Sequence, residues 1–429
     1  MDLDGFDPRY LVTLDELYHP HWAARKRRRI GWLRDVVERV WPHGPPARLI
    51  QVTGTNGKGT VSHFLEQGLR GSGRAGSWTG PHVFDYAERF HLDGEQASRA
   101  EISAVYRERL IPIQDAFCER NPGESLSFAE LGILLALHLF ERHGLRWGVM
   151  EVGAGGRYTP LMALPMAACV VTNVGHDHPK TLGTELWQRA LEKAGVARPG
   201  VPLFTAAEGD ALGYVTRAAE AEGARVHAID DAAASRLELP AELLDGLPRF
   251  QRRNLALACA VISTLDPTRE RGELLAAMRA RLTGRFWQPA PNVLVDVAHN
   301  AEKIAGLAES LRAAYPGRPL RLIVGLTRSR DVVETFTPLR PLARRVVVTS
   351  ASYAGQDPSA MAARLREVFP EVAVEPAPRR AYELERAALA PGELLVVTGS
   401  AYMIDLALNP NPYIQHTNAS FGRRGPSLA

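Results

Sequence analysis

The sequence is poor in cysteine. Its 429 residues include three cysteines, Cys118, Cys169 and Cys259, which lie far apart among apolar neighbours. This spacing forms neither a disulfide framework nor a metal-ligand motif. We therefore expect a protein of a reducing compartment, the cytoplasm.

Long apolar runs are also missing, and we expect no secretory leader. Residues 1–5 are acidic and lack the basic-then-apolar pattern of a signal peptide. No apolar run approaches the roughly 20 residues that a membrane-spanning helix needs. We expect no association with a membrane.

A strong charge of one sign is absent as well. The formal net charge of +3 is nearly neutral for this length and does not favour a nucleic-acid partner. One basic run, Arg25–Arg29, lies in a predicted helix. We interpret it as a solvated helix face, because no aromatic or basic residues elsewhere extend it; an anion or nucleic-acid contact is the alternative.

The composition, 45% hydrophobic and 23% charged, is ordinary for a globular enzyme of two or three domains. After N-terminal helices, strands and helices alternate from residue 47 to about residue 283, which predicts a parallel sheet covered on both faces. A second α/β unit begins near Gly284. We expect domains at 1–283 and 284–408, and a loosely ordered tail at 409–429.

The most informative segment is residues 51–60, Gln-Val-Thr-Gly-Thr-Asn-Gly-Lys-Gly-Thr, between a predicted strand and a predicted helix. Glycines let backbone N–H groups approach phosphate oxygens, the helix N-terminus favours anions, Lys58 adds charge, and Thr60 can hold Mg²⁺. The spacing departs from the usual phosphate-binding loop, since Gly59 separates the lysine from the threonine. A plain glycine-rich turn is the alternative.

Other candidate residues follow predicted strands, where parallel sheets bind ligands. Glu151 ends an apolar strand and suits Mg²⁺, although a surface carboxylate is equally compatible with the sequence. The segment 176–178, His-Asp-His, has no cysteine or third histidine to complete a zinc site.

Two further residues lie on predicted helices. From the sequence alone, we interpret Lys193 as a solvated surface charge and Asn254 as a helix N-cap.

An ordered set of short segments resembles the Mur ligase superfamily, in its folylpolyglutamate and dihydrofolate synthase branch. The resemblance covers roughly residues 25 to 405. Each segment is weak alone, but their order is hard to explain by chance. The segments are 54–60, 81–82, 86–89, 127–130, 151–157, 177–178, 182–183, 192–195, 284–286, 296–300 and 399–402.

The resemblance implies an α/β fold that is Mur-ligase-like: a phosphate-loop ATPase domain with a parallel sheet, then a smaller, Rossmann-like C-terminal domain. It implies an ATP-dependent ligase that activates a carboxylate as an acyl phosphate and joins it to an amino acid, L-glutamate onto dihydropteroate or folate. It further implies two Mg²⁺ sites, with K⁺ as a further cation, and a monomer that binds no nucleic acid.

The resemblance also assigns residues to roles. Catalysis falls to Lys58, Lys193 and His178. ATP binding falls to Thr55, Asn56, Gly57, Lys58, Gly59, Thr60, Asn254, Arg285, Asp296 and His299. Metal ligation falls to Thr60, Glu151, His178 and Lys193, the lysine being carbamylated by CO₂. Substrate binding falls to Thr79, Pro81, His82, Arg157 and Asp177.

The chain departs from the family pattern near the acceptor. Gly80 replaces a serine that ligates the first Mg²⁺, and residues 158–162, Tyr-Thr-Pro-Leu-Met, replace a segment with an acid and an amide. Three hypotheses follow: a folate ligase, a ligase of the same chemistry acting on a different acid in specialised metabolism, and a nucleotide-binding protein that has lost ligation.

Overall fold

The computed structural model describes residues 3, 5–175, 179–236, 249–268, 283–328 and 330–423. The chain divides into two compact units. The first comprises Met1–Gly80, Ala87–Leu243 and Gln251–Arg279, and the second comprises Pro81–Tyr86, Leu244–Phe250 and Ala280–Ala429.

The first unit contains an eight-stranded sheet with helices. Its strands are β1 (Arg48–Thr53), β2 (Ala75–Trp78), β3 (Phe90–Leu92), β4 (Glu95–Gln96), β5 (Trp147–Glu151), β6 (Ala168–Val171), β7 (Leu203–Thr205) and β8 (Val226–Ala228). Its helices are α1 (Pro8–Tyr18), α2 (Pro20–Val40), α3 (Lys58–Leu69), α4 (Arg99–Val105), α5 (Ile111–Arg120), α6 (Phe128–Arg142), α7 (Pro179–Leu182), α8 (Leu186–Ala194), α9 (Gly209–Ala221), α10 (Asp231–Arg236) and α11 (Arg249–Leu265).

The strand order is β4-β3-β2-β5-β1-β6-β7-β8. The pairs from β2 to β8 are parallel, as predicted, because the central strands are short apolar runs that are buried on both faces. The register places Val52 beside Glu151 and Thr53 beside Val171. The ends of β1, β5 and β6 therefore meet at one edge of the sheet.

A hairpin that the sequence analysis did not predict extends this sheet. β2 pairs with β3 and β3 with β4, both antiparallel. Asp93 and Gly94 connect β3 to β4 with φ of 57° and 93°. An Asp-Gly pair with both φ values positive is typical of a two-residue hairpin turn.

The basic run of α2 is only partly solvated. Arg25, Arg27 and Arg28 are exposed, but the Arg29 guanidinium donates to the buried Glu130 carboxylate, with Nε 3.0 Å from Oε1. Glu130 also belongs to the box that caps the start of α6. Arg29 therefore ties α2 to α6, which corrects the interpretation of the whole run as a solvated face.

The second unit contains a six-stranded sheet of order β13-β12-β11-β14-β10-β9. Its strands are β9 (Trp287–Ala290), β10 (Val293–Asp296), β11 (Leu320–Val324), β12 (Ala343–Val348), β13 (Val372–Val374) and β14 (Leu394–Thr398). Its main helices are α12 (Ala301–Ala314), α13 (Val332–Phe336), α14 (Pro358–Leu365), α15 (Pro378–Ala387), α16 (Ala401–Leu408) and α17 (Pro412–Arg423). All pairs are parallel except β9 with β10, and apolar clusters cover both faces.

Two segments differ from the predicted domain plan. Residues 81–86 belong to the second unit, where Val83 is 6% exposed in an apolar cluster with β10 and β14. The predicted loose tail instead contains α17, whose Asn418 side chain donates to the Phe84 carbonyl at 2.9 Å. Both differences rest on contacts between residues that are distant in the sequence.

Among the described residues, no helix is both long and apolar enough to cross a membrane.

Candidate active site

The glycine-rich loop lies between β1 and α3, as predicted. Gly54 and Gly57 have φ of 144° and 82°, values that side-chain-bearing residues rarely adopt. Gly57 is the residue immediately before α3, which begins at Lys58. The loop therefore presents backbone N–H groups at a helix N-terminus, which is the arrangement that binds phosphate.

Two residues that the sequence analysis did not single out hold this loop. Asn173 accepts from the Asn56 backbone N–H through Oδ1 at 2.8 Å, and the Thr172 hydroxyl donates to the Asn56 carbonyl at 2.5 Å. A Cβ on Gly54 would lie 1.8 Å from Thr172 Oγ1. Both residues directly follow β6, so the rule that ligands bind at strand carboxyl ends could have identified them.

Asn254 packs against the same loop from α11. A Cβ on Gly57 would lie 2.7 Å from Asn254 Nδ2 and 2.8 Å from Oδ1. Asn254 is 7% exposed and lies inside α11 rather than at its N-terminus. The N-cap interpretation is therefore wrong, and the structure brings this predicted nucleotide residue to the loop.

Lys58 and Thr60 occupy the first turn of α3. Lys58 Nζ donates to the Gly54 carbonyl at 2.9 Å, so the ammonium folds back over the loop. Thr60 is half-buried two residues later. The lysine charge and the N-terminus of α3 therefore lie together at the loop, an arrangement that suits a polyphosphate.

Glu151 faces this group from the end of β5. Its carboxylate is 5% exposed, and Oε2 would lie 3.6 Å from a Cβ on Gly59. The same oxygen accepts from the Gly80 backbone N–H at 3.1 Å. The structure therefore brings Glu151 to the start of α3, beside the glycine-rich loop, and excludes the alternative of a surface carboxylate.

Lys193 is buried at 1% exposure, so the expectation of a solvated surface lysine is wrong. It lies in α8, which packs closely on a second segment rich in glycine, residues 153–156, after β5. A Cβ on Gly156 would lie 2.9 Å from the Lys193 carbonyl oxygen, so only glycine allows this approach. A lysine this deeply buried is rare unless its charge is paired or removed.

Arg157, predicted to bind substrate, is engaged by neighbouring acids. Its Nε donates to Glu192 Oε1 at 3.0 Å, and its Nη2 donates to Asp15 Oδ2 at 2.7 Å. Burial raises the pKa of Glu192, and the Arg157 guanidinium opposes that rise. The arginine therefore links α1 and α8 at the base of the loop after β5.

The next residue, Tyr158, is also tied to the N-terminal helices. Its hydroxyl donates to Glu16 Oε1 at 2.5 Å, and its ring meets Trp22 edge-on at 4.7 Å between centroids. Burial raises the pKa of Tyr158, with the hydrogen bond to Glu16 adding to the shift. The segment that departs from the family pattern is thus packed against α1 and α2.

Thr79 and Gly80 follow β2 in the first unit. The Thr79 backbone N–H donates to the Arg89 carbonyl at 2.9 Å. A Cβ on Gly80 would lie 2.7 Å from Arg89 Nη1. The Arg89 side chain therefore occupies the space that a side chain at position 80 would need. Pro81 and His82, predicted beside them as substrate residues, belong to the second unit.

Asp177 and His178, predicted as substrate and metal residues, lie with His176 outside the described residues.

In the second unit, Asp296 ends β10, as predicted. Its carboxylate accepts from the backbone N–H groups of Phe286 and Ala298, both at 2.8 Å. Burial raises its pKa, while nearby Arg285 acts in the opposite direction. The aspartate therefore holds together the segments that carry Arg285 and His299.

His299 is held in its neutral form. Its Nδ1 donates to the Val297 carbonyl at 2.8 Å, and Nε2 lies 3.2 Å from Lys303 Nζ. Burial, with Lys303 second, lowers the pKa of His299 to about 3. A neutral imidazole that accepts from a lysine is a fixed polar contact rather than a proton carrier near neutral pH.

Comparison with known proteins gives a consistent family. The model described as "Mur ligase middle domain" matches residues 52–185, and the model described as "Mur ligase, glutamate ligase domain" matches residues 278–401. The second match covers the segment with Arg285, Asp296 and His299, and the first covers the phosphate loop and Glu151.

Curated relatives and solved structures agree. The "Probable bifunctional folylpolyglutamate synthase/dihydropteroate synthase" of Haloferax volcanii is 30% identical over 83% of this chain, which spans 45% of that longer protein. The "Dihydrofolate synthase/folylpolyglutamate synthase" of Bacillus subtilis is 25% identical over 76% of this chain and 81% of its own length. The structure of E. coli FolC with DHPP and ADP is 22% identical, with a TM-score of 0.74 over 92% of this chain and 93% of that one.

The two domain models match more than half of the chain between them, and the relatives match across both units. The FolC structure confirms the predicted Mur-ligase-like α/β fold. The chain therefore belongs to the Mur ligase superfamily, in the branch of the folylpolyglutamate and dihydrofolate synthases.

Proposed function

We propose that this protein is an ATP-dependent ligase that joins L-glutamate to dihydropteroate or folate. The observation that carries the proposal is the group formed by the loop 54–57, Lys58 and the buried Glu151. The match of residues 278–401 to a glutamate ligase domain supports the choice of amino acid. The protein would act as a monomer and without nucleic acid.

In this reaction a carboxylate oxygen of the acceptor attacks the γ-phosphorus of ATP. ADP leaves, and an acyl phosphate forms. The amine of glutamate then attacks the acyl carbon, and the C–O bond breaks to release phosphate. The loop N–H groups and Lys58 would hold the phosphates and stabilise the charge that develops on them. Asn254 would contact the nucleotide from α11.

The residues around Glu151 fit a divalent cation. The buried carboxylate beside Gly59 and the hydroxyl of Thr60 are hard oxygen donors of the kind that Mg²⁺ prefers. We assign Thr60, Glu151, Lys193 and His178 as the residues that would hold it. Bound Mg²⁺ would neutralise phosphate charge during transfer.

Lys193 would contribute as a carbamate. Its 1% exposure means that an ammonium there must be paired, whereas a carbamate is an anion that can ligate a cation. Its helix packs on Gly156, in the loop after the strand that ends in Glu151. Bicarbonate should therefore increase activity, and Lys193→Ala should lose activity that small carboxylates partly restore.

A second candidate is the same ligation on a different acid. Its support is local: the Gly80 position carries no side chain, and Arg89 Nη1 lies 2.7 Å from where a Cβ would be. Tyr158 places an aromatic ring, held by Glu16, in the segment that departs from the family pattern. Both features lie in segments predicted to shape the acceptor site.

The experiment is phosphate release from Mg·ATP by the full-length protein with bicarbonate, with product mass as the second readout. Dihydropteroate, dihydrofolate, a folylglutamate and a panel of non-folate carboxylic acids are each paired with L-glutamate. A glutamate-dependent mass gain with any of the first three acceptors supports the proposal, and Lys58→Met should abolish it. Turnover only with a non-folate acid favours the second candidate. ATP binding without turnover on any acid contradicts ligation altogether.

A further inference from the structure

Two histidines and a glutamate form a cluster in the first unit that is not part of the predicted nucleotide site. His63 and Glu66 lie three residues apart in α3, and His91 lies in β3. A side-chain ligand atom from each lies within 4.8 Å of the other two. Residues three apart share a helix face, so the helix offers both groups to the same neighbour.

The antiparallel pair of β2 and β3 supplies that neighbour. Ser77 and His91 are directly opposed in the antiparallel pair, so their side chains project from the same face of the sheet. The Ser77 hydroxyl donates to Glu66 Oε2 at 3.0 Å, and His91 Nδ1 lies 3.3 Å from the same oxygen. This face of the β2–β3 pair therefore meets the helix at Glu66.

The Glu66 carboxylate is fixed in position. The residue is fully buried, and its other oxygen, Oε1, accepts from the Gly94 backbone N–H at 3.1 Å. A buried carboxylate is costly unless its charge is balanced and its oxygens are bonded. The hydrogen bonds from Ser77 and Gly94 orient the carboxylate, as outer partners do around metal ligands.

The cluster is accessible from one side. The His91 side chain is 21% exposed, whereas the Glu66 side chain is 0% exposed. His63 is 6% exposed. An ion could therefore reach the cluster past His91 and would be enclosed by the helix on the other side.

We propose that His63, Glu66 and His91 form a Zn²⁺ site that joins α3 to the antiparallel pair of β2 and β3. Two imidazoles and one carboxylate are a known ligand set for zinc and leave a fourth position for water. Imidazole nitrogen selects zinc-like ions over Mg²⁺, which prefers oxygen ligands. The site is separate from the glycine-rich loop at residues 54–57, since His63 and Glu66 lie about 7.5 and 12 Å along the helix axis from Lys58, at 1.5 Å rise per residue.

The competing explanation is a direct contact between His91 and Glu66 without metal. The two explanations differ in stoichiometric metal binding. The direct contact predicts no specific Zn²⁺ uptake, while the metal site predicts one ion per chain and a dependence on both histidines.

The test is Zn²⁺ titration of the full-length, tag-free protein after treatment with EDTA. A large excess of MgCl₂ keeps hard-cation sites occupied. Calorimetry with ZnCl₂ should detect one high-affinity ion per chain. His63→Ala and His91→Ala should each weaken it by at least about tenfold, because loss of even an outer partner of a metal ligand costs about 10- to 100-fold.

His227→Ala is the matched control. This histidine is also in the first unit but stacks on Phe204, with centroids 4.7 Å apart, and its removal should leave Zn²⁺ affinity unchanged. Circular dichroism in EDTA should confirm that each variant folds. Co²⁺ added to the unaltered protein should give the visible absorption of a site of low coordination number, which requires no variant.

The proposal is overturned if the unaltered protein takes up no stoichiometric Zn²⁺, or if both cluster variants bind it as tightly as His227→Ala does. Thermal unfolding supplies an independent readout. Zn²⁺ should raise the Tm of the unaltered protein and of the control, but not that of His91→Ala, because binding to the folded state alone stabilises it.

Discussion

The side chain of Asn254 lies directly against Gly57, so that a Cβ at position 57 would come within 2.7 Å of Asn254 Nδ2. Gly57 also has a φ of 82°. The glycine is therefore required for two separate reasons, a backbone conformation and a close contact. The contact links α11 to the loop that is proposed to hold the phosphates of ATP.

Gly57→Ala should therefore weaken ATP binding. A side chain at positive φ costs about 1–2 kcal/mol, and displacement of Asn254 adds to this by moving the loop. We expect ATP affinity to fall by about tenfold or more, measured by calorimetry with Mg·ATP.

Gly123→Ala is the control for backbone strain outside the loop. Gly123 has the same φ of 82°, but a Cβ there would meet nothing within 4 Å. This variant should lose about 1 kcal/mol of stability and keep its ATP affinity. Equal ATP affinity in both variants would show that the Asn254 contact does not matter.

Gly80→Ser tests the departure from the family pattern near Glu151. The new Cβ would meet Arg89 Nη1, the end of a flexible side chain, so the protein should fold with less than about 1 kcal/mol lost. The added hydroxyl is a further oxygen ligand for Mg²⁺. We expect half-maximal phosphate release at a lower Mg²⁺ concentration.

Gly80→Ala is the control, because it displaces Arg89 equally but adds no hydroxyl. If serine and alanine change the Mg²⁺ dependence alike, the hydroxyl does not ligate the metal.

Much of the fold follows from local patterns in the sequence. β5, β6, β10, β11, β12 and β14 are short apolar runs, and each forms a buried strand of a parallel sheet. Lys58 and Glu151 lie where the strand-end rule places them. The hairpin turn at Asp93 and Gly94 also had a local signal that the sequence analysis did not use.

The remaining features depend on contacts that local patterns do not encode. Lys193 looks like a surface residue because Glu192 precedes it, yet α8 packs on Gly156 and buries it. Residues 81–86 join the second unit because Val83 packs among strands more than two hundred residues later. Local patterns could predict neither placement. The family resemblance assigned Lys193 to the site but left residues 81–86 in the first domain.

The low pKa of His299 predicts a pH dependence of stability. The folded-state pKa of about 3 lies below the usual value near 6.5. Between these values the unfolded chain binds a proton that the folded chain does not, so stability falls as the pH falls from 6.5 towards 3. The loss is on the order of a few kcal/mol over the whole window.

The measurement is the free energy of unfolding in urea from pH 7 to pH 4, for the unaltered protein and for His299→Asn. The slope of this free energy against pH should be smaller for His299→Asn. His21→Asn, at an exposed position in α2, should keep the slope of the unaltered protein. Identical slopes in all three proteins would contradict a neutral, buried His299.

Arg157→Met should destabilise the protein, and more so at pH 8 than at pH 5. The arginine pairs with Glu192 at 2.8 Å, and the two side chains are 14% and 13% exposed. Loss of the guanidinium leaves a buried carboxylate without its partner, which costs about 2–4 kcal/mol. Burial already raises the pKa of Glu192 while Arg157 lowers it, so the variant should raise that pKa further. The carboxyl then binds a proton in the folded state at pH 5, and the cost shrinks.

The control is Arg39→Met, which removes an exposed pair with Asp35, 58% and 49% exposed. It should cost less than about 0.5 kcal/mol at either pH. Urea unfolding of the three proteins at both pH values checks this, and an equal cost of Arg157→Met at pH 5 and pH 8 would show that Glu192 does not carry the effect.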